Sequence, residues 1–174
     1  MRARVAQIGD AILEAGGAGL SDAVEAWRGP ALAAVDAQAR QIEARGRRGC
    51  VRRGHGDLHL ANLCLVDGAP TPFDGLEFNE KIGETDILYD ALFVVADLLD
   101  REATALANAF LNRYLSATRD HAGMALAPLF LSMRHAVRAI ASAAGPDAGK
   151  PGARARLDRA AGALVPRAHP SLIA

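Results

Sequence analysis

Lysine is nearly missing from this 174-residue chain: Lys81 and Lys150 are the only two. Aromatic residues make up 5%, so a core must be built mainly from Ala, Leu and Val, which suits close-packed helices. Cys50 and Cys64 are the only cysteines and have no CxxC spacing, which implies neither a zinc site nor a disulfide framework. A reduced, cytoplasmic setting is therefore expected. Acidic and basic residues balance at a formal net charge of zero, so no broad basic field invites nucleic acid. No apolar run reaches the roughly 18 residues of a membrane span. The richest, Ile87 to Leu99, is broken by Asp90 and Asp97. Met1-Arg-Ala-Arg leads into a mixed segment, so no signal peptide is expected. G-x-x-x-x-G-K-[ST] is absent, which excludes a P-loop.

The periodicity of what remains is mostly helical. Val5, Ile8, Ile12 and Leu13 predict a helix over residues 3–15, ended by Gly16-Gly17-Ala-Gly19. Ser21 or Asp22 is placed to cap a short helix to Trp27. Pro30 suits the first turn of a new helix running to about Arg45. Residues 54–62 read as an irregular polar loop. Leu63–Val66 reads as a strand, Asp67-Gly68 as a hairpin turn, and Pro72-Phe73 leads into a returning strand. Further helices are expected from Thr85 or Asp86 to about Leu99, then over 103–117, 124–144 and 151–164, with 165–174 as a tail or linker. The fold class is thus mostly α (α+β): helices around one small β-hairpin in a single domain over 1–164.

The chemistry concentrates in His55-Gly-Asp57-Leu-His59-Leu-Ala-Asn62 and Phe73-Asp74-Gly-Leu-Glu77. Phosphoryl transfer needs a carboxylate to orient a hydroxyl and oxygen ligands to hold magnesium on ATP phosphates. Asp57 and Asn62 have the spacing of the kinase pattern H-R-D-x-x-x-x-N, and Asp74 falls where a D-F-G aspartate would lie. The hairpin would bring Asn62 and Asp74 onto neighbouring strands about 5 Å apart. Asp57 is the candidate base; a lone aspartate would read as a turn cap, but this motif favours catalysis. Asn62 and Asp74 are the candidate ligands for magnesium and hence for ATP, with a strand-start turn residue and a strand-end cap as the plainer readings. Glu77 is a further candidate, for a second metal or a substrate group. His55, grouped with Asp57 in the catalytic loop, is expected to support that loop by bonding backbone near Asp74. His59 fills space, binds a carbonyl or faces the cleft. A metallophosphoesterase would also use a GD-x-H motif, but needs a downstream G-N-H-[DE] that is absent.

These ordered motifs resemble the aminoglycoside phosphotransferase and choline kinase-like branch of the protein-kinase fold. The narrower resemblance is to the bacterial domain of this type that precedes a P-loop ATPase domain. It runs from about Arg53 to Ala144 and includes Asp86-Ile-Leu-Tyr-Asp90-Ala-Leu, similar to a D-x-x-x-D-L-A helix. It implies a kinase-like C-lobe, ATP and Mg2+ as cofactors, a small-molecule hydroxyl as acceptor, and a bracing role for Asp90. It also exposes a gap. The ~50 residues before His55 read as helices, not a five-stranded sheet, and no lysine precedes the loop, so the N-terminal nucleotide lobe is absent. Two readings follow: a phosphotransferase, here a partial domain, or a non-catalytic kinase-like interaction module. The resemblance leaves room for an N-lobe or ATPase domain in a longer protein. Apolar surface freed by a missing lobe would favour a homo-oligomer. Neither nucleic acid nor membrane is an expected partner.

Three charged features remain. Glu80, Glu84 and Asp86 read first as a solvated loop, and second as an acidic rim for a cationic substrate. Arg134 and Arg138 share a helix face and read as ordinary ion pairing ahead of anion binding. Arg45-Gly-Arg-Arg-Gly with Arg52-Arg53 reads as a solvated basic turn ahead of a phosphate site.

Overall fold

Val5, Ile8 and Ile12 fall three and four residues apart, and that spacing buries one face of the first helix, α1 (Arg2–Gly16). The structure is a computed structural model of the chain, and it describes residues 1–75, 84–145 and 151–165. It is mostly helical, with two small antiparallel sheets, so the α+β class holds. The described residues divide into two units, 1–39 with 128–145 and 151–165, and 40–75 with 84–127.

The first unit contains α1, α2 (Ser21–Ala37), α6 (Ala127–Ala144, from Pro128) and α7 (Pro151–Gly162). Trp27, Ala31 and Val35 bury one stripe of α2, and the Trp27 indole N–H donates to Ser132 Oγ at 3.0 Å. That bond satisfies the one polar atom of a fully buried ring. The sequence predicted a break before Pro30, but α2 runs through it. Pro30 is exposed, so it costs the helix one N–H donor and a local clash while the stripe on the other side stays continuous. The break falls later, at Gln38. Ser21 and Asp22 do not cap α2; Leu20 holds that position, and Asp22 instead pairs with Arg154 at 2.8 Å.

The second unit carries α3 (Ala39–Arg47), four short strands, α4 (Ile87–Asp100) and α5 (Thr104–Thr118). Asp86 caps α4, accepting from the Leu88 N–H at 2.9 Å, as the sequence suggests. Every residue from Leu88 to Leu98 is buried, so α4 is the central helix of this unit. Strands β2 (Leu63–Val66) and β3 (Ala69–Pro72) form the expected hairpin, with Leu63 opposite Pro72. Asp67 and Gly68 take φ of 51° and 79°, the paired positive values of a two-residue turn matched to strand twist. A second sheet was not foreseen: β1 (Val51–Arg53) pairs antiparallel with β4 (Glu84–Asp86). It lifts the chain directly into the loop at Gly54.

Among the described residues, those before His55 form three α-helices, one 3-10 turn and the three-residue β1, with no five-stranded sheet. No helix of the described residues is long and apolar enough to cross a membrane.

Candidate functional site

The loop from Gly54 to Asn62 is seated on α4 by two buried acids. Asp90 Oδ2 accepts the backbone N–H groups of His55 at 2.7 Å and Gly56 at 3.2 Å. Asp97 Oδ2 accepts the N–H of Leu60 at 3.1 Å. The two acids are seven residues apart, two helical turns, so they share a face about 10 Å apart and hold both ends of the loop. Charges inside an apolar helix would be costly unless hydrogen-bonded, and these backbone donors supply bonds. Asp90 thus has the bracing role that the resemblance implies. Asp97 is the partner that the sequence reading missed; its signal was a second acid on the same face of an otherwise apolar helix. Gly54 is dictated by this packing, because a Cβ there would lie 2.8 Å from both Asp90 Oδ2 and Thr85 Cγ2.

Within the loop, Asp57 and Asn62 meet. Asn62 is buried, and its Nδ2 donates to the Asp57 carbonyl at 2.9 Å and to Asp57 Oδ2 at 3.3 Å. Committing Nδ2 in this way leaves Oδ1 as the acceptor of the amide. The Asp57 side chain is 39% exposed, so one edge of the carboxylate is open to an incoming group. His59 flanks it, with Nε2 3.4 Å from Asp57 Oδ2 and its ring edge-on to Phe93 at 5.5 Å.

The hairpin delivers the next piece. The Phe73 N–H donates to the Asn62 carbonyl at 3.0 Å, extending the β2–β3 ladder by one pair. Asp74 follows immediately and is exposed, with a left-handed φ of 57°. That region is uncommon for residues with a Cβ, although Asp tolerates it better than most. His55 ties the two segments together: its Nε2–H donates to the Phe73 carbonyl at 2.8 Å. Because a carbonyl can only accept, the neutral ring carries its proton on Nε2, and Nδ1 is an acceptor. His55 Nδ1 and His59 Nδ1 are buried without a hydrogen-bond partner among the described residues.

Of the predicted site residues, His55, Asp57 and Asn62 thus lie in one seated loop, and Asp74 adjoins them through the hairpin. Glu77 lies outside the described residues, as do Glu80 and the tail from 166. Among the described residues no three His, Cys, Asp or Glu side chains gather as a metal cluster. A divalent cation would depend on Asn62 and Asp74 with oxygens from its own ligand. Their hard oxygen donors suit magnesium, which is commonly held by one or two side chains plus substrate phosphates.

The acidic-rim expectation is corrected at Asp86. Its carboxylate is buried and takes both the Nε and Nη2 of Arg45, at 2.6 and 2.7 Å, so it faces no substrate. Glu84 is exposed on β4. Arg45 is corrected with it, since a residue read as part of a solvated basic turn is buried. Arg134 is also buried.

No family model matches this chain, and no solved structure matches it. Uncharacterized proteins of Mycobacterium bovis and of two Mycobacterium tuberculosis strains are each 34% identical to it over 109 residues. The match covers 63% of this chain and 22% of each relative. The chain therefore matches about a fifth of the length of these curated relatives.

Proposed function

We propose that this chain is a kinase-like C-lobe of the aminoglycoside phosphotransferase type, the partial domain of an ATP-dependent phosphotransferase acting on a small-molecule hydroxyl. The observation that carries this reading is the contact of Asn62 Nδ2 with Asp57, on a loop seated by Asp90 and Asp97. Such seating holds a carboxylate in place, and positioning supplies much of the catalysis in phosphoryl transfer. Asp57 would accept the acceptor's hydroxyl proton as oxygen bonds to the γ-phosphorus and the bond to ADP breaks. His55 would act on Asp57 through the loop, since its Nε2–H is committed to the Phe73 carbonyl. Asn62 and Asp74 would hold magnesium, with Glu77 as a proposed further ligand; the ion would neutralise charge on the phosphates. The partners proposed with this reading are the hydroxyl substrate and a nucleotide lobe or ATPase domain elsewhere in a longer protein. The exposed Leu65, Val66 and Phe73 of the hairpin favour a second copy as a further partner.

A specific observation favours the second reading, a kinase-like module without turnover. The described residues ahead of the loop are helical apart from the three-residue β1, and no lysine precedes it to reach ATP phosphates. Calorimetry with Mg-ATP separates the two. The first reading expects saturable, magnesium-dependent binding that is lost in Asp74→Ala, and phosphoryl transfer that is abolished in a folded Asp57→Asn variant. Undiminished turnover in Asp57→Asn would sink the catalytic assignment. Absence of any nucleotide binding by the folded chain would favour the non-catalytic module.

A further inference from the structure

We propose that the unit of residues 40–75 and 84–127 holds a second ligand site, separate from the phosphotransferase loop, that takes a small dianion of the phosphate or phosphate-monoester class. A cavity of about 250 Å3 opens where the end of α3, strand β1, the start of α4 and the turn after α5 come together. It shares no residue with Asp57, Asn62 or Asp74. Its charged lining is Arg45, which is buried, with Asp120 beside it and Arg48, Arg52 and Arg119 around them.

Around Arg45 lies a closed hydrogen-bond network of one guanidinium and two carboxylates. Arg45 spends Nε and Nη2 on Asp86, and Nη1 and Nη2 on Asp120, at 2.6 to 2.7 Å. Asp86 also takes the Leu88 N–H, and Asp120 takes the Gly123 N–H and the Tyr114 hydroxyl. These two carboxylates are therefore not available to the outer arginines. Arg48, Arg52 and Arg119 are all exposed, and none makes an ion pair among the described residues. Arg52 Nε donates to the Gly49 carbonyl at 3.0 Å, which fixes the side chain and leaves both Nη groups free. Four guanidiniums stand against two carboxylates, an excess of two positive charges, which matches a dianion.

Part of this charge has a plainer use. Helices α3 and α5 both end here, and cations at helix C-termini complement the dipole. That accounts for Arg48 and Arg119, but not for Arg52 on β1. Planar guanidinium forks match phosphate oxygens geometrically as well as electrically. The cavity lies just below the roughly 300–1,000 Å3 of pockets that take drug-sized ligands, and it has room for a phosphate group.

The test titrates inorganic phosphate, and separately glycerol phosphate, into the whole chain without magnesium or ATP, at constant ionic strength, by calorimetry. One saturable site is expected, weakened about tenfold or more in Arg48→Gln/Arg119→Gln. It should be unchanged in Asp57→Asn/Asp74→Ala. Arg52→Gln, an exposed single change, reads the same loss if the double variant is poorly folded. Tighter binding of glycerol phosphate would identify a phosphorylated small molecule as the source, and tighter binding of inorganic phosphate the free ion. No saturable binding, or binding that survives in the arginine variants, overturns the proposal.

Discussion

Asp90 carries more of the candidate site than any residue that would touch substrate. One carboxylate oxygen accepts two consecutive backbone N–H groups at the start of the loop. Removing it leaves both donors partly buried without that acceptor, and each unsatisfied group costs about 1–3 kcal/mol. Asp90→Ala is expected to lower unfolding stability by about 2–4 kcal/mol, read from the urea midpoint at unchanged slope. Asp90→Asn keeps an acceptor oxygen and should lose less. Equal midpoints for Asp90→Ala and the parent chain would show that the loop does not rest on this residue. The residue scale is also where the sequence is most legible and most deceptive. His55, Asn62 and Asp90 could be singled out because their spacing has a chemical meaning. Arg45 could not: it sits in a run of arginines that looks solvated. Its burial depends on Asp86 and Asp120, which lie 41 and 75 residues away.

At the scale of elements, apolar patterning located α1, α5 and α6 by spaced apolar residues and α4 by a nearly continuous apolar run. It failed at β1 and β4. Three residues give no alternation to detect, and β1 is exposed throughout. It failed again at Pro30, where a local breaker lost to a continuous buried stripe of Trp27, Ala31 and Val35. That contest has a measurable residue. Pro30 withholds a hydrogen bond from the Ala26 carbonyl, and its neighbour Gly29 has open space where a Cβ would go. Both are exposed, so replacement removes no core contact. Pro30→Ala is expected to stabilise the chain by about 1–3 kcal/mol, and Gly29→Ala by a further ~0.5–1 kcal/mol. Thermal unfolding checks both. A lower melting temperature in Pro30→Ala would mean that the proline sets a bend the packing needs.

For the molecule as a whole, a formal charge of zero hides one concentrated charge network, and it should set the dependence of stability on pH. Burial pushes the Asp120 carboxyl up, but the hydrogen bonds and charge of Arg45 outweigh it and hold the group below the usual carboxylate value. Its contribution is therefore complete above the unfolded value of about 3.9 and is lost as pH falls through the lower folded value. Tyr114 behaves in the opposite sense. Burial first, and the Asp120 charge second, raise its hydroxyl above the ordinary 10.0. That contribution is complete below about pH 10 and is lost as pH climbs toward the folded value. Arg45 is raised further, chiefly by its bond to Asp86, and stays charged throughout. Stability should thus form a plateau from about pH 5 to pH 9, with Asp120 on its acid shoulder and Tyr114 on its alkaline one. Tyr114→Phe should flatten the alkaline fall and leave the acid one in place. Arg45→Met should do more than weaken the fold by the ~3–5 kcal/mol typical of a broken buried pair. It leaves the Asp120 carboxylate with the upward push of burial and without the cation that outweighs it, so protonating Asp120 relieves the burial of charge, and stability should rise as pH falls toward 4. Urea midpoints of the three proteins across that range decide it. An acid fall in Arg45→Met as steep as in the parent chain would mean that acid sensitivity originates outside this network.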